Sequence, residues 1–177
     1  MTTALPPLPP LPAEDHVCAG CGTDYAALTL DAARQLIAAV PAQARAVALG
    51  AADPRRRPAP ATWSVLEYAC HLRDVYATST IRLYRVRTED RPAIEPMLND
   101  LRATRFGYNE LDLGAVLTEL DHTAAGFLAE VARVPATDWA RTATRLPGEE
   151  RTAQWLVRHA AHEGTHHLAD LRDIAGR

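Results

Sequence analysis

The sequence TAQWLVRHAAHEGTHHLADLRDIA, residues 152–175, joins a helical pattern of apolar side chains to a cluster of histidines and acidic residues. With successive residues about 100° apart on a helix, the apolar side chains mark one face: Leu156, Ala160, Leu171 and Ile174. Glu163 and His167 fall within that face, one turn apart, whereas His162 and His166 fall at its flank. We therefore predict that Glu163 and His167 point into a helix bundle and that His162 and His166 do not.

Three more stretches have amphipathic helical periodicity, and no part of the chain alternates as a strand does. They cover about residues 29–49, 65–86 and 113–134. A capping box of Ser64 and Glu67 marks the start of the second stretch. Pro41 is expected to kink the first stretch or to begin its second half. Four amphipathic helices joined by connections of mixed length predict an all-α fold, a four-helix bundle over residues 28–177.

Residues 1–27 precede the predicted bundle. The first part of this segment contains five prolines and has no periodicity, so we expect a mobile, extended arm of polyproline type. Cys18 and Cys21 follow in a glycine-containing turn, C-A-G-C-G, which is half of a zinc knuckle. A structural zinc ion there needs two more ligands, for which Cys70 and His16 are available. The alternative interpretations are that the thiols reach a metal bound in the bundle, that they form a redox-active pair, or that they are two free thiols.

The composition is that of one globular domain. The chain has 177 residues, of which 47% are hydrophobic and 23% charged, with a net charge of −3. This balance gives no electrostatic basis for binding nucleic acid or an anionic membrane. No apolar run approaches the roughly 20 residues of a membrane span, and the N-terminus lacks the pattern of a signal peptide. We expect a cytoplasmic protein with reduced cysteines that acts on a small molecule.

The inward-facing pair Glu163 and His167 predicts a metal site. A single histidine on an apolar face is usually a hydrogen-bonded core residue, but a carboxylate beside it needs a cation or strong donors to offset its desolvation. Two imidazoles and one carboxylate suit zinc, nickel or ferrous iron, with water in an open position. The third ligand must come from another helix. His71, which has apolar neighbours, is favoured over His122, which has polar ones.

Further polar residues are candidates for a catalytic role. Asp170 and Asp74 each lie three residues after a predicted histidine ligand, where a carboxylate can accept the imidazole's other N–H and fix its orientation. For Asp74, an ion pair with a neighbouring arginine is an equal alternative. His159, one turn before Glu163, is a candidate general acid or base, or a hydrogen-bonding neighbour of the site. The alternative for His159 is an ordinary histidine at the edge of the core.

The long connection over residues 88–111 has weak periodicity and is expected to form a lid or the wall of a pocket. Tyr108 and Asn109 are candidate wall residues. Arg82, on nearly the same helical face as His71, is a candidate for binding a substrate carboxylate, although an exposed arginine is the default expectation.

Two motifs together resemble a known family: WSVLEYACHLRD, residues 63–74, and HEGTHHLADL, residues 162–171. In their order and spacing, over about residues 28–176, they are similar to the DinB-like metalloprotein superfamily. The similarity is closest to the branch that contains the metal-binding domain of mycothiol-dependent maleylpyruvate isomerase. The resemblance implies a four-helix bundle that binds one divalent metal, usually zinc, between its helices, and often a homodimer.

The resemblance also implies the ligands and the chemistry. The late helix of that branch supplies Glu and His four residues apart, followed three residues later by Asp or Gln, so Asp170 selects Glu163 and His167, with His71 as the third ligand. Several branches use a low-molecular-weight thiol, whose pKa falls on metal coordination. All 19 basic residues are arginines, which suits an actinobacterial source and mycothiol as that thiol.

The isomerase carries a further C-terminal domain, whereas this chain ends at Arg177. We therefore expect S-transfer of a thiol such as mycothiol to a small electrophile rather than isomerisation. Two alternatives stay open at this point. One is a metal-dependent hydrolase that uses metal-bound hydroxide, and the other is a non-catalytic metal or small-molecule binding module of a stress response.

Overall fold

The computed structural model of the protein describes residues 8–146 and 148–176. Its helices are α1 Leu30–Gly50, α2 Val65–Thr88, α3 Asn99–Arg105, α4 Leu113–Val131 and α5 Ala153–Ala175. A short antiparallel hairpin pairs β1 Thr142–Thr144 with β2 Glu150–Thr152. The four long helices α1, α2, α4 and α5 confirm the predicted four-helix bundle. None of the helices in the described part of the chain is long and apolar enough to cross a membrane.

Side-chain caps determine where the long helices begin. The Ser64 hydroxyl accepts the backbone N–H of Glu67, and the Glu67 carboxylate accepts the N–H of Ser64, which is the predicted capping box. The other long helices have a capping side chain at the same position: Thr29, Asp112 and Thr152. Pro41 neither ends nor restarts α1, because the helix continues on both sides of it.

The order of the helices in the bundle differs from their order in the chain. α2 packs mainly against α4 and α5, and α1 packs mainly against α5 and α4, so α1 and α2 lie diagonally although they are consecutive. Gly164 allows α5 to approach its neighbours closely: a Cβ atom there would lie 2.9 Å from Val40 Cγ2 and nearer still to the Tyr76 hydroxyl. This close contact of α5 with α2 positions the polar residues of both helices for a shared site.

Two elements were not predicted from the sequence. α3 lies within the connection between α2 and α4, and the β1–β2 hairpin lies between α4 and α5. Long-range hydrogen bonds hold the hairpin. The Ile94 N–H donates to the Thr144 carbonyl at 2.7 Å, and the Arg141 guanidinium donates to the Val86 carbonyl at 2.7 Å. Because these partners are distant in the chain, local periodicity does not reveal the hairpin, and α3, with 7 residues, is too short to show a helical periodicity.

The N-terminal segment, residues 8–25, lies against the hairpin and α5. Arg151 donates to the Pro12 carbonyl at 2.6 Å, and the Glu14 carboxylate accepts the N–H of Thr152 at 2.7 Å, at the start of α5. The prediction of a mobile arm was wrong for the prolines that the structure describes, because hydrogen bonds hold this part of the chain against the bundle. The first seven residues of the predicted arm lie outside the described residues.

Candidate metal centre

α2 and α5 bring His71, Glu163 and His167 together in the bundle, and we call these three residues the tripod. The Nε2 atoms of His71 and His167 lie 3.5 Å and 3.6 Å from the same Glu163 oxygen, Oε2. The two imidazole rings meet edge to face with centroids 4.7 Å apart. The three residues predicted as ligands are thus neighbours in the fold. His122, the disfavoured alternative, is exposed on α4.

The spacing in the tripod fits a metal ion better than it fits hydrogen bonds. A separation of 3.5–3.6 Å is too long for a strong N–H···O bond, whereas ligands bound at about 2.0–2.1 Å to a tetrahedral ion lie about 3.4 Å apart. The Nε2 atom of His71 is buried and has no hydrogen-bond partner. Since an unpaired buried polar atom costs about 1–3 kcal/mol, this nitrogen is a donor that a cation would satisfy.

His71 and Glu163 have the protonation states that metal binding requires. Burial lowers the pKa of His71, so its imidazole is neutral at neutral pH and keeps a free lone pair. Burial by itself would raise the pKa of Glu163, but His167 and His71 outweigh burial and hold that pKa well below its usual value. A neutral imidazole and an ionised carboxylate are the forms that coordinate a metal.

Asp170 fixes the orientation of His167. The Oδ2 atom of Asp170 lies 2.8 Å from Nδ1 of His167, which leaves Nε2 directed at Glu163. Burial disfavours the charged imidazole, but Asp170 and Glu163 outweigh it and raise the pKa of His167 to about 9. At neutral pH the imidazole therefore carries a proton, which a metal ion would displace on binding. A carboxylate on the far nitrogen is the usual support of a metal-binding histidine, and the structure places Asp170 in that position.

His159 lies one turn before Glu163, and two aromatic residues hold its imidazole. The ring stacks on Trp155 with centroids 4.5 Å apart, and Nδ1 lies 2.9 Å from the Tyr25 hydroxyl. One nitrogen of His159 is within 4.8 Å of a Glu163 carboxylate oxygen. Burial lowers the pKa of His159, so it is neutral at neutral pH. Tyr25 was not predicted as a site residue, since no sequence pattern places this loop residue beside α5.

A cavity of about 410 Å³ opens beside Glu163 and His159. Its wall includes residues 96–101, so part of the long connection forms a pocket wall, as predicted. Arg82 and Arg145 also line it, and the Arg82 Nε atom is buried without a hydrogen-bond partner. Burial, and then the nearby Arg145, lower the pKa of Arg82 to about 10, so this side chain stays cationic at neutral pH. The default expectation of an exposed Arg82 was wrong.

The predicted position of His162 at the flank of the helix needs a correction. His162 is only 7% exposed, and its Nδ1 atom lies 2.9 Å from the Tyr25 hydroxyl. His166 is less buried, and its Nδ1 atom lies 3.7 Å from the Cys18 sulfur. Neither histidine belongs to the tripod, although His162 Nδ1 lies 3.7 Å from Glu163 Oε1, and residues 16–25 cover both. Periodicity within α5 does not reveal this cover, because it comes from the other end of the chain.

Three of the remaining candidates do not belong to the centre. Asp74 accepts hydrogen bonds from Arg73, Arg102 and the Tyr108 hydroxyl, at 2.5–3.0 Å, which is the second of its two predicted alternatives. Tyr108 and Asn109 do not line the described cavity. The Asn109 side chain instead accepts from the hydroxyl that caps α2, at 2.7 Å. Tyr108 and Asn109 therefore do not form part of the wall of this cavity.

The fold and the family agree. The sequence profile of the DinB superfamily matches residues 29–171, so the chain belongs to this superfamily. A solved structure with a similar fold is YfiT from Bacillus subtilis, a probable metal-dependent hydrolase with an unusual four-helix bundle topology. It is 20% identical with a TM-score of 0.77, and the match covers 84% of this chain and 86% of that one. No curated protein matches the sequence. The closer relation to the mycothiol-dependent isomerase branch stays a prediction.

Proposed function

We propose that the protein is a metal-dependent hydrolase of small anionic substrates, with one divalent cation held by His71, Glu163 and His167. The observation that carries the proposal is the buried, unpartnered Nε2 atom of His71, which faces the same Glu163 oxygen as Nε2 of His167. Membership of the DinB superfamily and the similarity of the fold to YfiT support this class of function.

The donor set favours zinc as the cation. Two imidazole nitrogens and one carboxylate oxygen are a common catalytic zinc set, and nickel or ferrous iron accept the same ligands. A cation bound there lowers the pKa of a water or thiol ligand and polarises a substrate carbonyl. Glu163 also lines the cavity, so the tripod is accessible to a small molecule from that side.

His159 is the residue proposed to move the proton. It lines the cavity, is neutral at neutral pH, and lies within 4.8 Å of the Glu163 carboxylate. Its ring is stacked on Trp155, and in the tautomer whose Nδ1–H donates to the Tyr25 hydroxyl oxygen, the lone pair of Nε2 can take a proton from the attacking nucleophile. A positioned base of this kind contributes about 10²–10⁴ to the rate.

Arg82 is proposed to select a negatively charged substrate. Its guanidinium lines the cavity with one N–H group unpaired, next to a second cation, Arg145. Arg145 is already paired with the Glu149 carboxylate at 3.0 Å. The Arg82 guanidinium donates to the neutral Glu95 carbonyl and has no carboxylate partner among the described residues, so its charge is available for a substrate anion. A carboxylate or phosphate can pair with a guanidinium in a planar, charge-assisted geometry, and the acyl or similar group then faces the tripod.

A second candidate function is thiol S-transfer with mycothiol or a related thiol as co-substrate. The observation that favours it is the size of the cavity, about 410 Å³. This volume exceeds what a water molecule and a small ester need, so that it leaves room for part of a thiol co-substrate. In this case His159 takes the thiol proton and the thiolate adds to an electrophile. The expected homodimer and cytoplasmic location stay predictions under either function.

The test is a substrate comparison on the zinc-loaded chain. We expect hydrolysis of carboxylate-bearing esters or amides without added thiol, with kcat reduced about 10²–10⁴-fold in His159→Gln. Arg82→Gln should raise KM for the anionic substrates and leave neutral analogues unaffected. Arg85→Gln is the matched control, because Arg85 lies on the same helix and pairs with Glu89 away from the cavity.

Turnover that requires an added thiol would contradict the proposed hydrolase and support thiol S-transfer. Failure of both reactions, with zinc bound at the tripod, would leave a binding module and contradict the proposed catalysis. Equal effects of Arg82→Gln and Arg85→Gln on KM would contradict the assignment of Arg82 to substrate binding.

A further inference from the structure

A second set of potential metal ligands, which shares no residue with the tripod, lies between α5 and the N-terminal segment. One donor atom from each of Cys18, Cys21, His162 and His166 lies within 4.8 Å of the others. We propose that these four side chains bind a structural zinc ion. The sequence suggested Cys70 and His16 as partners for the two thiols. Cys70 is instead buried in the bundle core, and the His16 ring packs edge to face against Tyr25, so that the histidines of α5 take their place.

The turn at residues 17–24 presents both thiols to α5. Gly22 donates its N–H to the Cys18 carbonyl at 2.8 Å, and Cys18 donates to the Thr23 carbonyl at 2.9 Å. Gly22 has a φ angle of 73°, which L side chains rarely adopt. Both cysteines are free. A Cys-x-x-Cys turn of this kind supplies half of a tetrahedral zinc site, and the other half must come from the surface that it faces.

His162 has one ring nitrogen engaged and the other free. Its Nδ1 atom lies 2.9 Å from the Tyr25 hydroxyl and 3.7 Å from Glu163 Oε1, so this edge of the ring faces the bundle. Its Nε2 atom, on the opposite edge, is buried and has no hydrogen-bond partner. A metal-binding histidine commonly has its other nitrogen held by a hydrogen bond in this way. The unpaired Nε2 atom is therefore a ready ligand.

His166 lies one helical turn after His162 on α5 and approaches the same Cys-x-x-Cys turn. Its Nδ1 atom is 3.7 Å from the Cys18 sulfur, and sulfur and nitrogen ligands of a tetrahedral zinc ion lie about 3.6 Å apart. Gly20 allows this approach, because a Cβ atom there would lie 2.9 Å from Cε1 of His166. Two thiolates and two imidazoles in a tetrahedral arrangement are typical of zinc.

The proposed ion would fasten the N-terminal segment to α5. That segment carries Tyr25, whose hydroxyl contacts both His159 and His162, and Leu8 and Leu11, which line the cavity. The zinc ion would thus support the pocket without touching the substrate. Its role is structural, and the proposal does not depend on what the tripod catalyses.

Zinc content of the purified full-length chain tests the proposal. We expect two zinc ions per chain in the wild type, one in the Cys18→Ser/Cys21→Ser variant and one in His166→Ala. Cys70→Ser is the matched control and should keep both ions. Glu163→Gln should lose the ion at the tripod and keep the one at the cysteines, so failure of this proposal is distinguishable from failure of the proposed function. Two ions in the Cys18→Ser/Cys21→Ser variant would overturn it.

Cobalt substitution gives a spectroscopic readout of the thiolate ligands. The wild-type chain loaded with Co²⁺ under reducing conditions should show a thiolate-to-cobalt charge-transfer absorption in the near ultraviolet. The band should persist in Glu163→Gln and Cys70→Ser and disappear when Cys18 and Cys21 are replaced. Absence of the band from the wild type would contradict a zinc site. A Cys18–Cys21 disulfide that resists the reducing conditions would also contradict it and would favour a redox pair.

Discussion

Asp74 and Glu163 are both carboxylates on long helices of the bundle, but their neighbours differ in kind. Asp74 accepts hydrogen bonds from Arg73, Arg102 and the Tyr108 hydroxyl at 2.5–3.0 Å. Glu163 has imidazole nitrogens around it, at 3.5–3.7 Å. The first carboxylate is satisfied by fixed donors of the protein itself. The second lies among imidazole nitrogens, which can themselves coordinate a metal ion.

The difference separates a structural carboxylate from a functional one. A buried charge whose partners are all present rigidifies the fold, and removing it leaves those partners unpaired. Glu163 lies beside the unpaired Nε2 atom of His71. A cation bound between the two would neutralise the carboxylate and give this nitrogen a partner. Distances decide between the two cases, since the sequence shows an acidic residue near a histidine in both.

The largest expected effect is on stability at Asp74. Asp74→Asn should lower the free energy of unfolding by about 3 kcal/mol at pH 7, because it leaves two arginines beside a neutral group. The isosteric Glu163→Gln should cost about 1 kcal/mol or less in the presence of a chelator, since it removes only long contacts. Urea unfolding of both variants measures this. Equal losses would remove the distinction between the two carboxylates.

The next effect concerns Asp170, which supports the tripod through His167. Asp170→Asn should weaken zinc binding about 10–100-fold, because the imidazole loses the carboxylate that orients it. The titration belongs in the Cys18→Ser/Cys21→Ser background, where one site remains. Asp121→Asn, which removes an ion pair between α4 and Arg45, is the control and should bind zinc as the parent does. Unchanged affinity in Asp170→Asn would contradict the supporting role.

The smallest effect is the pH dependence of the contribution that Asp74 makes to the free energy of unfolding. Burial by itself would raise the pKa of Asp74, but the hydrogen bonds from Tyr108, Arg102 and Arg73 outweigh burial and place that pKa below its ordinary value. The stability it provides is therefore fully present above about pH 4 and is lost as the pH falls through the lowered pKa. The difference in the free energy of unfolding between the wild type and Asp74→Asn should decrease only below about pH 4. A difference independent of pH would contradict the idea that the charge of Asp74 is the source of this stability.

Local patterns in the sequence were sufficient for the bundle. The apolar periodicity gave the long helices, and the capping box at Ser64 and Glu67 gave the start of α2. The same periodicity, with a resemblance to the DinB-like superfamily, selected the three residues that the fold brings together as the tripod. The helices and the pair Glu163 and His167 were predictable because each depends on residues within a few turns of one helix. The assignment of His71, on a second helix, rested on its apolar neighbours and on the resemblance.

Contacts between distant residues were not predictable in the same way. Asp74 and Asp170 have the same spacing from a histidine, yet Asp74 turns to Arg102 and Tyr108, which come from the connection between α2 and α4. His162 was assigned to the flank of the bundle, although the N-terminal segment covers it. In both cases the deciding partner lies on another element, so periodicity alone does not show it.

The central claim is that the tripod binds a divalent cation through Glu163. Its most direct test is a zinc titration of the Cys18→Ser/Cys21→Ser chain with and without Glu163→Gln. The account predicts one zinc ion bound per chain with Glu163 present and an affinity at least ~100-fold weaker (about 2.7 kcal/mol) without it. Equal zinc affinity for the two chains would contradict it.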